Sequence, residues 1–321
     1  MKSALKLTFM AAMAAATVVS PLQPAAAQGA ATQGQGQAIV TVMPKHENEL
    51  APNITQQDLQ QVKVDGKQVK VTGWQSLRDP QDKVELVLLI DDAARSSFGR
   101  QIEDIRQFMR SLPPNVLAGI AYMENGRAVF HGPLSTDHEQ VLSALRLPSG
   151  IPGIDSSPYF CLSDLAQHWP SQDRSSRREV VMVTDGIDYY YRRFDPDDPY
   201  VQAAITDSVR AGLVVYSIYW EDQGRIDRTV WGNNSGQSLL TEVDQATGGK
   251  NFWEGFGNPV SFQPYLDDLG RRLRNQYELS FLAPSKGKPE VESFKLKLAA
   301  PGADVTAPQQ VVVVPAASAT K

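Results

Sequence analysis

The fold is decided by two short stretches, VELVLLIDD at residues 84–92 and VVMVTDG at residues 180–186. Each is an apolar run of strand length that ends in acidic residues. Continuous apolar strands are typical of parallel sheets that are buried on both faces, and open α/β sheets bind ligands at the carboxyl ends of their strands. The sequence therefore predicts two central strands that bring Asp91, Asp92 and Asp185 to one sheet edge, an arrangement suited to a divalent cation.

Helical spacing and strand-like runs alternate between these stretches and beyond them. The pattern predicts strands over residues 116–123, 128–130, 213–219 and 277–281, and helices over residues 98–112, 136–145, 159–168, 201–209, 239–246 and 262–273. Asn125-Gly126 predicts a tight turn between two of the strands. This succession predicts an α/β fold with an open, doubly wound, mostly parallel, Rossmann-like sheet that carries one antiparallel edge strand.

Both flanks of this region are rich in strand signals. Period-two apolar spacing on either side of Asp65-Gly66 predicts a hairpin within an N-terminal β module over residues 39–80. Residues 285–314 alternate in the same way and predict C-terminal β strands. The two flanks either pair into one small β module or form two separate appendages. Residues 28–38, rich in Gly and Gln, predict a flexible leader, and residues 315–321 a disordered tail.

The first 27 residues have the layout of a cleaved secretory signal. Lys2 and Lys6 precede an apolar stretch over residues 7–19, which small residues follow up to Ala27. Cleavage after Ala27 would move the formal net charge from −5 to −7. We expect a secreted or periplasmic protein with no membrane span and no nucleic-acid partner. The single cysteine, Cys161, lies among apolar residues and is expected to be a buried core thiol.

The order of elements, with LLID ending at Asp91 and VVMVTDG containing Asp185, resembles a von Willebrand factor type A (VWFA) domain over residues 82–284. The segment LRNQYEL at residues 273–279 is similar to the end of the last helix in bacterial secreted relatives of that family. The resemblance implies an adhesion site in which Asp-x-Ser-x-Ser, a threonine and a second acid hold magnesium. The ion then leaves one position open for an acidic residue of a protein partner.

The ion site that the resemblance implies is degenerate here. Asp91 and Asp185 match its acids, but Ala93 has no side-chain oxygen and Arg95 brings a permanent positive charge. A register in which Asp92 leads supplies only Ser96, and Ser156 and Ser157 are the candidates for the second-loop hydroxyl. We therefore expect no cofactor, with weak Mg²⁺ binding as the most that the site offers. A sharper hypothesis is that Arg95 replaces the ion by pairing with Asp91 or Asp185.

The loop after Asp185 is the second candidate binding feature. Asp188 is followed by Tyr189, Tyr190 and Tyr191 and then by two arginines, a composition found at binding hot spots. The alternative is that the rings only cover the sheet. No nucleophile elbow, phosphate-binding glycine loop or zinc-binding helix occurs, and the four histidines are scattered, so we expect no enzyme.

Two functions remain open. The first is a secreted adhesion-type module that binds a protein ligand through the carboxyl edge of its VWFA-like sheet. The second is a structural subunit of an envelope or extracellular assembly that associates through its flanking β strands.

Overall fold

A computed structural model describes residues 32–46, 49–94, 96–150, 157–188, 190, 197–221, 230–252, 255 and 257–316. Its strands are β1 (Thr32–Pro44), β2 (Leu59–Val64), β3 (Lys67–Gln68), β4 (Lys70–Ser76), β5 (Val84–Asp91), β6 (Val116–Glu124), β7 (Arg127–Phe130), β8 (Arg177–Thr184), β9 (Leu213–Tyr219), β10 (Gln276–Ser285), β11 (Glu290–Leu298), β12 (Ala303–Thr306) and β13 (Gln310–Pro315). Its α-helices are α1 (Ile102–Ser111), α2 (His138–Leu142), α3 (Pro158–Gln167), α4 (Pro199–Ala211), α5 (Val230–Thr247) and α6 (Gln263–Leu273), and short 3₁₀ turns cover Gln56–Asp58 and Ser96–Gln101.

The larger sheet is antiparallel and joins both ends of the described chain. Its strand order is β3-β2-β11-β13-β1-β10-β4, with β12 paired to β1. β3 and β4 are separated only by Val69, whose amide donates to the Val62 carbonyl, so the sheet curls until its two ends meet at residues 67–76. The enclosed side is filled by an apolar core that includes Val40, Leu279 and Phe281.

Strand β1 overturns the prediction of a flexible leader for the part of residues 28–38 that the structure describes. It pairs with β10 from Thr32 opposite Ser285 to Thr41 opposite Gln276. Gly34 and Gly36 face the packed side of the sheet, where a Cβ on Gly36 would overlap the Phe281 ring. Composition suggested disorder because these residues have little apolar surface of their own. The partner strand supplies the large side chains instead, and the glycines make room for them.

The second sheet has five strands in the order β7-β6-β5-β8-β9. It is mixed, because β5 pairs in parallel with β6 and β8, β8 pairs in parallel with β9, and β7 pairs antiparallel with β6. Alternate residues of β5 face two different apolar cores: Leu86, Leu88 and Ile90 pack with α1, α2 and α6, whereas Val87 and Leu89 pack with α3, α4 and α5. This two-sided burial is why residues 84–91 read as one continuous apolar run.

The predicted fold class is wrong for the molecule as a whole. An α/β chain organised on one doubly wound, mostly parallel sheet with a small β module was expected. Eight of the 13 strands in the described residues instead form the antiparallel sheet, and the other sheet is mixed. The two flanks do pair with each other, as one of the two alternatives had it, but β10, which was assigned to the α/β region, lies between β1 and β4 in their sheet. No helix in the described part of the chain combines the length and the hydropathy that a membrane span requires.

A buried polar contact joins the two sheets. The Arg177 guanidinium, at the start of β8, donates to the Leu273 carbonyl (3.0 Å) and to the Gln276 side chain in β10. The Gln276 amide donates to the Tyr216 hydroxyl of β9 (3.2 Å). Glu179, two residues along β8 from Arg177, is fully buried, and burial raises its pKa to about 7. The interface between the sheets therefore contains an acid that titrates near neutral pH.

Candidate functional site

Asp91 and Asp185 follow the two central strands and lie at the same edge of the five-stranded sheet. Both are buried. The Thr184 hydroxyl donates to Asp91 Oδ2 (2.8 Å), and the Ala93 amide donates to Asp91 Oδ1 (2.9 Å). Each carboxylate oxygen of Asp91 thus accepts one of these hydrogen bonds from the protein itself and keeps a second lone pair.

The Asp185 loop is fixed by backbone contacts. The Ile187 amide donates to Asp185 Oδ1 (3.0 Å), and Gly186 adopts a positive φ of 68°. Helix α5 approaches this loop so closely that a Cβ on Gly236 would overlap the Asp185 carbonyl oxygen. The two glycines therefore allow helix and loop to pack backbone against backbone, which leaves the Asp185 loop little freedom to rearrange.

Asp92 belongs to a different network, centred on Arg146. Arg146 Nη1 donates to Asp92 Oδ1 (2.5 Å), and its Nη2 donates to Glu124 Oε1 (2.8 Å). The guanidinium carbon lies 3.9 Å from the centroid of the Tyr122 ring. The Ser149 amide also donates to Asp92 Oδ1 (3.1 Å). An arginine thus provides the positive charge beside the first acidic loop, and charge-assisted bonds of this kind are strong.

Ser157, Asp188 and Tyr190 lie together beside the second loop. The Ser157 hydroxyl is 3.5 Å from Asp188 Oδ1, and the Tyr190 amide donates to the same oxygen (2.8 Å). The Tyr190 ring packs edge-on against Phe160, with ring centroids 5.1 Å apart. Below them, the Tyr159 hydroxyl donates to the Gly186 carbonyl (2.7 Å). Burial, and then the Asp185 charge, raise the pKa of Tyr159 well above its usual value, so this hydroxyl remains a neutral donor.

Four predicted site residues, Arg95, Ser156, Tyr189 and Tyr191, lie outside the described residues. The contact proposed between Arg95 and Asp91 or Asp185 therefore stays a prediction. The described predicted residues fall into separate groups: Asp91 bonds with Thr184, Asp92 with Arg146, and Asp188 with Ser157. Within the described ranges, no group of three or more His, Cys, Asp or Glu residues could hold a metal ion. Cys161 is buried, and burial raises the pKa of its thiol well above the usual value.

Three large apolar side chains stand out from this edge. Leu147 is 53% exposed, Tyr190 52% and Val260 95%. Leu147 lies just before Ser149, which bonds with Asp92, and the Val260 carbonyl accepts a hydrogen bond from the Gln101 side chain (3.1 Å) at the start of α1. Only Leu50 and Val314 are comparably exposed large apolar residues elsewhere in the described chain. Sequence reasoning found Tyr190 but missed Leu147, Val260 and Arg146, because nothing in their local sequence marks them.

This edge belongs to the five-stranded sheet, which the same chain joins to the curled antiparallel sheet. No protein-family model and no curated protein matches the sequence. Among solved structures, an aerotolerance-related membrane protein from Bacteroides fragilis NCTC 9343 with multiple mutations to serines is 16% identical (59% of this chain, 98% of that chain, TM-score 0.43). The conserved hypothetical protein BatB from Bacteroides thetaiotaomicron is 14% identical (59% and 97%, TM-score 0.41). The ArnB paralog VWA2 from Sulfolobus acidocaldarius is 9% identical (86% and 76%, TM-score 0.38).

Proposed function

We propose that this chain is a non-enzymatic module that binds a protein ligand through the carboxyl edge of its five-stranded sheet. The observation that carries the proposal is the set of exposed apolar side chains Leu147, Tyr190 and Val260 on loops of that one edge. Exposing such side chains to water is unfavourable. A partner that covers them gains a free energy of about 25 cal/mol for each Å² of apolar surface that it removes from water. Because the loops beneath them are already rigid, less conformational entropy is lost when a partner binds.

The acids at this edge act in the proposal as fixed structural charges. Asp91 is held by Thr184 and by a backbone amide, and Asp92 by Arg146. The recognition that follows is a contact between apolar side chains and a partner, without a bridging magnesium ion. Weak Mg²⁺ binding remains compatible with it, whereas a tight cation site would contradict this part of the proposal.

The test is a cross-linking pull-down with the tagged mature chain in extracts of its native host. One variant carries Leu147→Asp, Tyr190→Asp and Val260→Asp. The control carries Leu50→Asp and Val314→Asp, which place two negative charges, against three in the edge variant, on exposed apolar residues elsewhere. We expect the parent and the control to capture the same protein and the edge variant to lose it, while all three melt at similar temperatures. Capture by the edge variant would overturn the proposal.

A structural subunit that associates through its β strands is the second candidate. The exposed Val314 on β13 favours it, because an apolar residue on a strand of the antiparallel sheet would suit association with a neighbouring subunit. In the same pull-down, loss of capture in the Leu50/Val314 variant together with retention in the edge variant would favour this candidate.

We also propose that the chain is exported to the periplasm or the cell exterior. It rests on the signal-like layout of residues 1–27, which lie outside the described residues. Fractionation of host cells, with amino-terminal sequencing of the mature chain, tests it directly. A mature protein that begins at Gln28 and leaves the cytoplasm is expected, whereas an uncleaved chain in the cytoplasm would contradict it.

A further inference from the structure

We propose that a cleft between the two sheets binds an amphiphilic carboxylate, a small organic anion with an apolar chain. The cleft has a volume of about 700 Å³, within the usual range for small-molecule sites. It is lined by the amino ends of β8 and β9 and by strands β1, β10 and β13. It therefore lies at the opposite end of β8 from the proposed protein-binding edge, and the two sites are independent.

The first support is the charge of the lining. Four arginines line the cleft, and Glu278 is the single acid among the described lining residues. The whole chain has a formal net charge of −5, so this local excess of positive charge runs against the average. An anion is the ligand that such a lining attracts.

Two of the four arginines are buried and two are exposed. Arg177 and Arg178 are buried and donate to protein carbonyls, those of Leu273 (3.0 Å) and Ser171 (2.9 Å) respectively. Arg178 Nε also lies 3.7 Å from the Glu85 carboxylate, so both guanidinium groups are engaged within the protein. Arg174 and Arg210 are exposed, and neither has a hydrogen bond or an ion pair with any described residue. Their guanidinium groups can therefore bond a carboxylate in the bidentate geometry that arginine favours. At the nearby end of α4 the Gly212 amide bonds the carbonyls of Ser208 and Val209, which reduces the partial negative charge there.

The second support is apolar. Ile39, Leu282 and Val312 are half-buried and Val314 is exposed, and all four line the cleft. They come from the outward faces of β1, β10 and β13. β10 is hydrogen-bonded to β1 on one side and to β4 on the other, so it offers no free edge to an added peptide strand. An alkyl chain over the aliphatic side chains, with its carboxylate towards Arg174 and Arg210, fits this combination.

Isothermal titration of the mature chain with dodecanoate, below its micelle concentration, tests the proposal. We expect a single site whose affinity rises from octanoate to dodecanoate and falls about tenfold or more for dodecanol, which lacks the charge. The double variant Arg174→Gln/Arg210→Gln should weaken dodecanoate binding about tenfold, whereas Arg127→Gln, which removes an exposed arginine on β7, should change it less than about twofold.

Three results would overturn the inference: no dodecanoate binding, equal binding of dodecanol, or full affinity in the double variant. Co-sedimentation with phosphatidylglycerol vesicles, without binding of free dodecanoate, would also reject it, because the arginines would then serve a membrane surface. Capture of a protein partner at the carboxyl edge is measured separately, so failure here leaves the proposed function intact.

Discussion

Arg146 and Asp92 form an ion pair of 2.5 Å although they are 54 positions apart in the sequence. The pair ties the loop after β5 to the segment after α2, and Asp92 is buried while Arg146 remains partly exposed. Sequence reasoning looked for the counter-charge of the acidic loop at Arg95. The contact of Arg95 with Asp91 or Asp185 stays a prediction, whereas Asp92 has its counter-charge from Arg146, on a segment whose approach to Asp92 depends on the tertiary fold.

Changing Arg146 to Ala should destabilise the protein by about 2 kcal/mol, because it leaves a buried carboxylate without its counter-charge. The matched control is Arg110→Ala, which removes an ion pair whose side chains are 48% and 66% exposed and should lower stability much less than Arg146→Ala does. Urea unfolding of the parent and both variants measures the difference. Equal stability losses in the two variants would show that Asp92 does not depend on Arg146.

Changing Gly236 to Ala should destabilise the protein by about 2 kcal/mol, because the added methyl group would overlap the Asp185 carbonyl oxygen. Gly270→Ala is the control, since it lies in helix α6 with nothing closer than 3.5 Å to the new Cβ. Helix propensity alone favours that change by up to about 1 kcal/mol. Thermal melting should therefore separate the two variants in opposite directions, and an unchanged Gly236→Ala midpoint would contradict the close packing of α5.

Glu179 should make the protein lose stability as the pH rises towards neutrality. Its folded-state pKa of about 7 lies above the usual 4.5, so the folded state holds the proton more tightly. Its contribution is complete below the unfolded pKa and is lost between about pH 4.5 and about pH 7, to a total of about 3 kcal/mol. The pH dependence of the melting temperature between about pH 5 and about pH 8 should be flatter in Glu179→Gln than in the parent. Glu103→Gln, at an exposed position of α1, should keep the parental slope, and a parental slope in Glu179→Gln would contradict the assignment.

Magnesium or manganese should bind no better than weakly, because Ala93 offers no side-chain oxygen where the implied site needs a hydroxyl ligand. We expect the melting temperature to be the same in chelator and in millimolar magnesium, since a tightly bound ion would raise it. The informative counterpart is the double variant Ala93→Ser/Arg95→Ser, which restores the family's hydroxyl pattern and should gain cation binding. A tight magnesium isotherm for the parent would refute this prediction.

The sequence predicted individual elements better than their assembly. The strands at residues 84–91 and 177–184 were recognisable because both of their faces are buried, and most helices because of their apolar periodicity. The first half of β1 was not, since its buried positions Gly34 and Gly36 have no side chain of their own, and the role of Gly36 appears only opposite Phe281. The antiparallel sheet could not be predicted for another reason. Strands such as β1 and β10 pair across hundreds of positions, and such pairing leaves no local signal in the sequence.

Only part of the candidate site could be predicted from the sequence. Asp91, Asp185 and Asp188 could be found because each follows directly after a strand or lies in the loop beyond it. The group that neutralises Asp92 and two of the three exposed apolar side chains could not, because they sit on loops whose position depends on distant contacts. Exposure itself is a property of the folded chain, and a leucine such as Leu147 is more often buried than exposed.

The central claim is that a protein partner covers the carboxyl edge of the five-stranded sheet. Its most direct test is site-specific photo-cross-linking, with benzoylphenylalanine placed in turn at Leu147, Tyr190, Val260, Leu50 and Val314 of the full mature chain in its native host. We expect adducts of one shared partner from Leu147, Tyr190 and Val260, and none from Leu50 or Val314. Adducts from Leu50 or Val314 alone, with none from the edge, would contradict it.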